Sequence, residues 1–130
     1  MDISEGEIRK IKRMNYGIFC FFLFFILCIP VSLWFYQEEH RFTTEKWLSE
    51  PEERTRIVDD LLREYNLIGM NEYEIRSLLG EHNNEYGYFN EENRYVYCLG
   101  PERGLFSIDS EWLILDFSGN CVSSCSIVRD

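Results

Sequence analysis

The sequence predicts an α+β protein: an N-terminal transmembrane helix, then two helices packed on an antiparallel sheet of three to four strands. Three observations carry this. Met14–Tyr36 is an uncharged run of 23 residues. Between Ser49 and Gly80 apolar residues recur at helical spacing, and from Glu85 onward alternation and β-favouring residues replace that period. Helices first and strands after place the helix pair over one face of the sheet.

Charge bounds the function before any motif does. The 130 residues hold 13 Lys and Arg against 23 Asp and Glu, a formal net charge of −10. Residues 37–130 alone hold nine bases and twenty acids, net −11. A domain this acidic has no basic patch to neutralise a phosphate backbone, which excludes sequence-independent DNA or RNA binding. Hydrophobics at 45% and aromatics at 16% supply enough apolar surface to offset chain entropy, which excludes a wholly disordered chain.

The organisation reads as a cytoplasmic tail (1–13), a transmembrane anchor (14–36), a connector (37–46) and a domain (47–130). As a helix, Met14–Tyr36 would span roughly 34 Å, enough for a bilayer. Its all-round apolarity, from Ile18 through Leu27, leaves no polar face for water. Trp34, Phe35 and Tyr36 close it with interfacial aromatics, Tyr16 lies near the other boundary, and Pro30 is a candidate kink. The exit, Val31-Ser32-Leu33-Trp34-Phe35-Tyr36, lacks the small-x-small pattern of signal cleavage, so an uncleaved anchor is expected. Cys28 follows Leu27 and Cys20 follows Phe19, neither suited to lipoprotein processing. Arg9, Lys10, Lys12 and Arg13 abut the span on one side and Glu38-Glu39 on the other, so the positive-inside rule expects a cytoplasmic N-terminus and an extracytoplasmic domain.

Gln37–Lys46 reads as a polar connector able to continue the helix by a turn. Ser49-Glu50-Pro51-Glu52 then announces a helix, with Ser49 as cap, Pro51 in the first turn and Glu52 completing a capping box. Ile57, Val58, Leu61, Leu62 and Tyr65 form its apolar face; Arg54, Arg56, Asp59, Asp60 and Arg63 read as solvated. The second helix is capped by Asn71 with Glu74 three positions on, turns Ile75, Leu78 and Leu79 inward and stops at Gly80. The two are expected to lie antiparallel.

Glu85–Phe89 and Arg94–Leu99 flank Asn90–Asn93, a hairpin loop. Gly100–Gly104 is a breaker, and Trp112–Phe117 and Cys121–Val128 bracket Ser118-Gly119-Asn120, a second hairpin. In the first hairpin's register Tyr88 opposes Tyr95 and Tyr86 opposes Tyr97, which puts four tyrosines on one face. Leu99 shares that parity, so the face reads as core under the helices. The functional alternative is a protein-docking surface made of Tyr86, Tyr88, Tyr95 and Tyr97, since tyrosine is enriched at interface hot spots.

Several short motifs carry a resemblance. Gly69-Met70-Asn71, Glu74-Ile75, Leu78-Leu79-Gly80, Tyr97-Cys98-Leu99-Gly100, Leu113-Ile114-Leu115 and Phe117-Ser118-Gly119-Asn120-Cys121-Val122 resemble the SmpA/OmlA (BamE-like) family, of the β-lactamase-inhibitor-protein-like fold group. Trp47, Arg54 and Asp59-Asp60-Leu61-Leu62 are similar to a related set of small bacterial anchored proteins. The resemblance covers roughly Trp47–Ile127 and implies a helix pair on an antiparallel sheet with a binding, non-catalytic role, without identifying the partner. The chain departs from the family at Leu79-Gly80-Glu81-His82, where a proline is common, and in lacking a lipidation signal.

No catalytic constellation emerges. His40 and His82 are the two histidines, and neither accompanies a nucleophile elbow, a phosphate loop or a paired metal ligand; His82 reads as a loop residue. No metal, cofactor or small-molecule substrate is expected. In a meander, Cys98 lies two strand spacings, roughly 9–10 Å, from Cys121 and Cys125, beyond disulfide reach. Cys121 and Cys125 on one strand are about 13 Å apart. The functional expectation is a membrane-anchored extracytoplasmic module that binds an unidentified protein; the alternative is a toxin-neutralising immunity or inhibitor protein, whose acidic surface would suit a basic target.

Overall fold

With no charge and no polar face to interrupt it, the apolar run folds as the centre of one long helix, α1 (Glu5–His40). The computed structural model describes residues 4–83, 89 and 91–130. They fall into two units, 1–38 and 39–130. Every described residue of 4–38 is exposed, and the most apolar window of α1 has a mean hydropathy of 2.6, so the helix is long and apolar enough to cross a membrane. Pro30 sits inside it and withholds one backbone donor. Near that gap the Ser32 hydroxyl donates to the Ile29 carbonyl at 2.8 Å.

The second unit begins with a helix that periodicity did not reveal. Thr43 caps α2 (Thr44–Ser49) by accepting from the Lys46 N–H at 3.1 Å, which makes Ser49 the last residue of that helix and not the cap of the next. The expected capping box at Ser49–Glu52 does not form: Pro51–Glu53 is a single 3-10 turn that leads into α3 (Arg54–Glu64) without a side-chain cap. Proline suits that turn because its missing N–H would be unsatisfied there in any case. By contrast α4 (Glu72–Leu79) has its predicted box, with Glu74 N–H donating to Asn71 Oδ1 and Asn71 N–H to Glu74 Oε2, both at 2.9 Å. It stops at Gly80, whose φ is +74°.

Three antiparallel strands follow in the order β1 (Arg94–Pro101), β2 (Ser110–Ser118), β3 (Cys121–Arg129). The expected first strand, Glu85–Phe89, lies outside the described residues except for Phe89, which is a bend whose ring meets Trp112 at 6.0 Å. β1 does not end at Leu99 as the glycines suggested. A bulge at Leu99 lets the ladder resume, pairing Gly100 with Glu111 and Pro101 with Ser110. At Gly100 (φ +106°) an added Cβ would stand 2.4 Å from the Glu52 carbonyl oxygen, so glycine is what admits the 3-10 turn against the strand. Gly119 supplies the positive φ of the two-residue turn between β2 and β3.

The core lies between the helices and one sheet face. Trp47, Ile57, Val58, Leu61, Ile75 and Leu79 meet Tyr95, Tyr97, Leu99, Leu113, Leu115 and Phe117. Of the predicted α3 face, Leu62 and Tyr65 are exposed. α4 packs against α2 while α3 lies on β1, so the expected α3–α4 pairing is replaced by a contact with the unforeseen α2. The opposite sheet face is no mere solvent face either: Val96, Trp112 and Ile114 are buried there.

Candidate functional site

Burial settles the place of two of the four tyrosines. Tyr97 is wholly buried and Tyr95 nearly so, both within the core. Each phenol finds the partner that burial demands: Tyr97 OH donates to the Gly80 carbonyl at 2.9 Å, and Tyr95 OH accepts from Arg76 Nε at 3.1 Å. Burial pushes the Tyr97 phenol far above its ordinary pKa. Tyr95 and Tyr97 are therefore core residues, not a docking surface. Their parity with Leu99 faces them to the helices, as the core alternative required. Tyr86 and Tyr88 lie outside the described residues.

Arg54, on the face that helical spacing assigns to solvent, is buried. Its Nε donates to the Trp47 carbonyl at 2.8 Å, its Nη1 to the Cys98 carbonyl at 3.1 Å, and its guanidinium stands 4.7 Å over the Trp47 ring. One planar fork thus joins α2, α3 and β1. Burial pulls the Arg54 pKa down. Asp60 departs from the solvated face too, because its Oδ2 accepts from the Phe42 N–H at 2.7 Å and holds the chain entering α2.

At the far end of the sheet Glu111, with 1% of its side chain exposed, accepts from Arg103 N–H and Nε at 3.1 Å and pairs with Arg129 Nη2 at 3.6 Å. Arg103 also reaches Asp59 on α3 at 2.6 Å. Burial opposes ionisation of Glu111, but the hydrogen bonds and charge of Arg103, helped by Arg129, outweigh it and hold the carboxyl below its ordinary range. This network fixes the base of the β1–β2 loop. Ser107 Oγ donates to the Glu102 carbonyl at 2.9 Å, and Glu102 N–H to the Asp109 carbonyl at 2.9 Å. From that pinned base the tip projects Leu105, Phe106 and Ile108, which are 98%, 79% and 85% exposed. Gly100-Pro101-Glu102-Arg103-Gly104 marks a loop but not what its tip presents, so these three residues carry no signal in the sequence.

Among the described residues, two further surfaces are open. A cleft of about 560 Å³ is lined by Glu72, Arg76, His82, Arg94 and Tyr95 among others. There the His82 ring stacks on Tyr95 at 4.0 Å, and burial, with the Arg76 charge, pulls its pKa down. His82 is thus more than a loop residue: it covers one edge of the core. The other surface is the outer edge of β3. Gly69 N–H donates to the Val122 carbonyl and Val122 N–H to the Met70 carbonyl, both at 2.8 Å, so the start of that edge is paired. Beyond Val122 no described segment pairs with it.

The five cysteines are free. Cys98 on β1 and Cys125 on β3 are separated by β2, the strand order on which the expectation rested. Burial pushes the Cys125 thiol up, away from the reactive thiolate. Among the described residues no His, Cys, Asp and Glu group is arranged to hold a metal ion. Neither a protein-family model, nor a curated protein, nor a solved structure matches this chain.

Proposed function

We propose that the chain is a single-pass membrane protein with its N-terminus in the cytoplasm, whose extracytoplasmic α+β domain binds a protein partner and catalyses no reaction. The observation that carries this reading is the apolar tip of the β1–β2 loop. Single exposed apolar residues are ordinary, but three large ones within four positions, on a loop held at its base by an ion-pair network, gather exposed apolar surface at one loop tip, the kind of surface that marks interaction sites. The perturbed ionisable groups support a structural rather than a catalytic use: Arg54, Tyr97, Glu111 and Asp116 each bond across elements of the fold. Orientation rests on the four bases that precede the apolar run and the acids that follow it. Association of the domain with the cell envelope accords with this reading.

The test is a triple variant, Leu105→Ser, Phe106→Ser and Ile108→Ser. These side chains are in solvent, so stability should move by no more than about 0.5 kcal/mol. A photo-crosslinker at Leu105 of the wild-type chain should trap one partner protein in native membranes, and the variant should lose that partner from detergent-solubilised membranes. Retention of the partner by the folded variant refutes the assignment. Capture of a basic toxin would select the immunity or inhibitor reading. For orientation, Cys121 is exposed and is itself the probe: a membrane-impermeant maleimide should modify it in intact cells or spheroplasts and spare a cysteine placed at Ser4.

A further inference from the structure

Among the described residues, the edge of β3 beyond Val122 is a long strand edge left without a partner strand. Asp130 N–H donates to the Ser110 carbonyl at 3.3 Å, which sets the alternation of the β2–β3 ladder. Ser124, Ser126 and Val128 then bond β2, whereas Cys125, Ile127 and Arg129 direct their N–H and C=O groups outward. Natural edges are blunted by charge, proline, bulges or a covering segment. Here Gly69–Asn71 covers the first residues of the edge and a bulge at Ser123 follows, but Ser124–Val128 has no charge, no proline and no cover among the described residues. The side chains that flank it are small or half-buried: Ser124 and Ser126 on one face, Cys125 and Ile127 at the rim of the core on the other.

We propose that this edge pairs with the same edge of a second copy of the chain, antiparallel and across a two-fold axis, to make a continuous six-stranded sheet. Three features select a second copy. The segment is self-complementary: centring the axis on Ile127 brings Cys125, Ile127 and Arg129 of each copy into register for about six backbone hydrogen bonds. Although each domain is acidic, this register sets no like charges against each other; Arg129 falls opposite Cys125 and is already balanced by Glu102 and Glu111 at 3.7 and 3.6 Å. Charges on the remainder of the domain are screened beyond a Debye length of about 8 Å. Finally, a single strand pair buries less than the roughly 1,200–2,000 Å² of a stable soluble complex. Confinement of both copies to one membrane compensates by raising their effective concentration. The inference therefore rests on α1 being an anchor, and on nothing about the loop partner.

The test uses the full chain in native membranes, with a photo-crosslinking residue placed singly at Ser126, at Ser77 on the exposed face of α4, and at Leu105. Retention of the chain in carbonate-washed membranes is checked first, so failure of the anchor is seen separately. Ser126 should give about tenfold more adduct of twice the chain mass than Ser77, the excess of specific pairing over collision in a shared bilayer. Tandem mass spectrometry should locate the junction in residues 124–129 of the second copy, and the yield should fall on dilution into added lipid. Equal dimer yield at Ser77, an adduct with a different protein at Ser126, or no adduct at Ser126 each overturns the pairing. The Leu105 probe reports on the proposed partner independently.

Discussion

Replacing Arg54 with methionine tests how the helices are held to the sheet. Methionine keeps most of the stem volume and deletes both donors, leaving the Trp47 and Cys98 carbonyls without the bonds of 2.8 and 3.1 Å. A hydrogen bond from a charged donor contributes about 1.5–3 kcal/mol. The guanidinium at 4.7 Å from the Trp47 ring adds a cation–π contact, worth about 0.5–2 kcal/mol. Against these stands the desolvation of the guanidinium, which is what pulls its pKa down and which methionine relieves. The balance is a loss of about 3 kcal/mol, a large share of the ~5–15 kcal/mol that holds a domain together. Lysine keeps the charge but not the planar fork, so Arg54→Lys should lose about half as much. The assay is urea unfolding of the full chain in detergent micelles, followed by tryptophan fluorescence, with hydrogen exchange on α2 to place the damage. A loss below about 1 kcal/mol for Arg54→Met, or protection of α2 unchanged, would refute the view of Arg54 as the tie between α2, α3 and β1.

Gly100→Ala meets both a φ of +106° and a Glu52 carbonyl 2.4 Å from the new Cβ; it should destabilise by about 2–4 kcal/mol, whereas the same change at Gly104, which has open space and no positive φ, should be nearly silent. Tyr97→Phe removes the bond to the Gly80 carbonyl, a loss of about 1 kcal/mol read from the melting curve. Because the folded phenol titrates above the unfolded one, the wild type should lose stability as pH rises past about 10, and Tyr97→Phe should flatten that alkaline limb. Glu111 has the opposite sign: its folded pKa lies below the unfolded value, so its contribution is complete above about pH 4.3 and fades as pH falls further. Glu111→Gln should destabilise by about 2 kcal/mol at pH 7, with a smaller difference from wild type at pH 3; an equal difference at both pH values would count against the ion pair.

The sequence by itself determined what depends on local chemistry. An uncharged run of sufficient length must be a helix with an apolar surface wherever it lies, and α1 contains Met14–Tyr36 whole. The Asn71–Glu74 box, the Gly80 stop and the turn at Gly119 were legible because each is made within a few residues of itself. Parity along β1 likewise foretold that Tyr95 and Tyr97 share a face with Leu99, since side chains alternate whatever the sheet packs against. Leu99 marks that face as the one under the helices, whereas the burial of Val96, Trp112 and Ile114 behind it was decided only by packing. α2 was illegible because six residues with one buried tryptophan carry no period, and Arg54 because a charge reads as solvated until the Trp47 and Cys98 carbonyls, 7 and 44 positions away, are brought to it. The candidate surfaces belong to the same class. An apolar loop tip and an open strand edge are defined by what fails to cover them, and coverage comes from elements distant in the chain, so three-dimensional placement alone tells an unpaired β3 from a paired one.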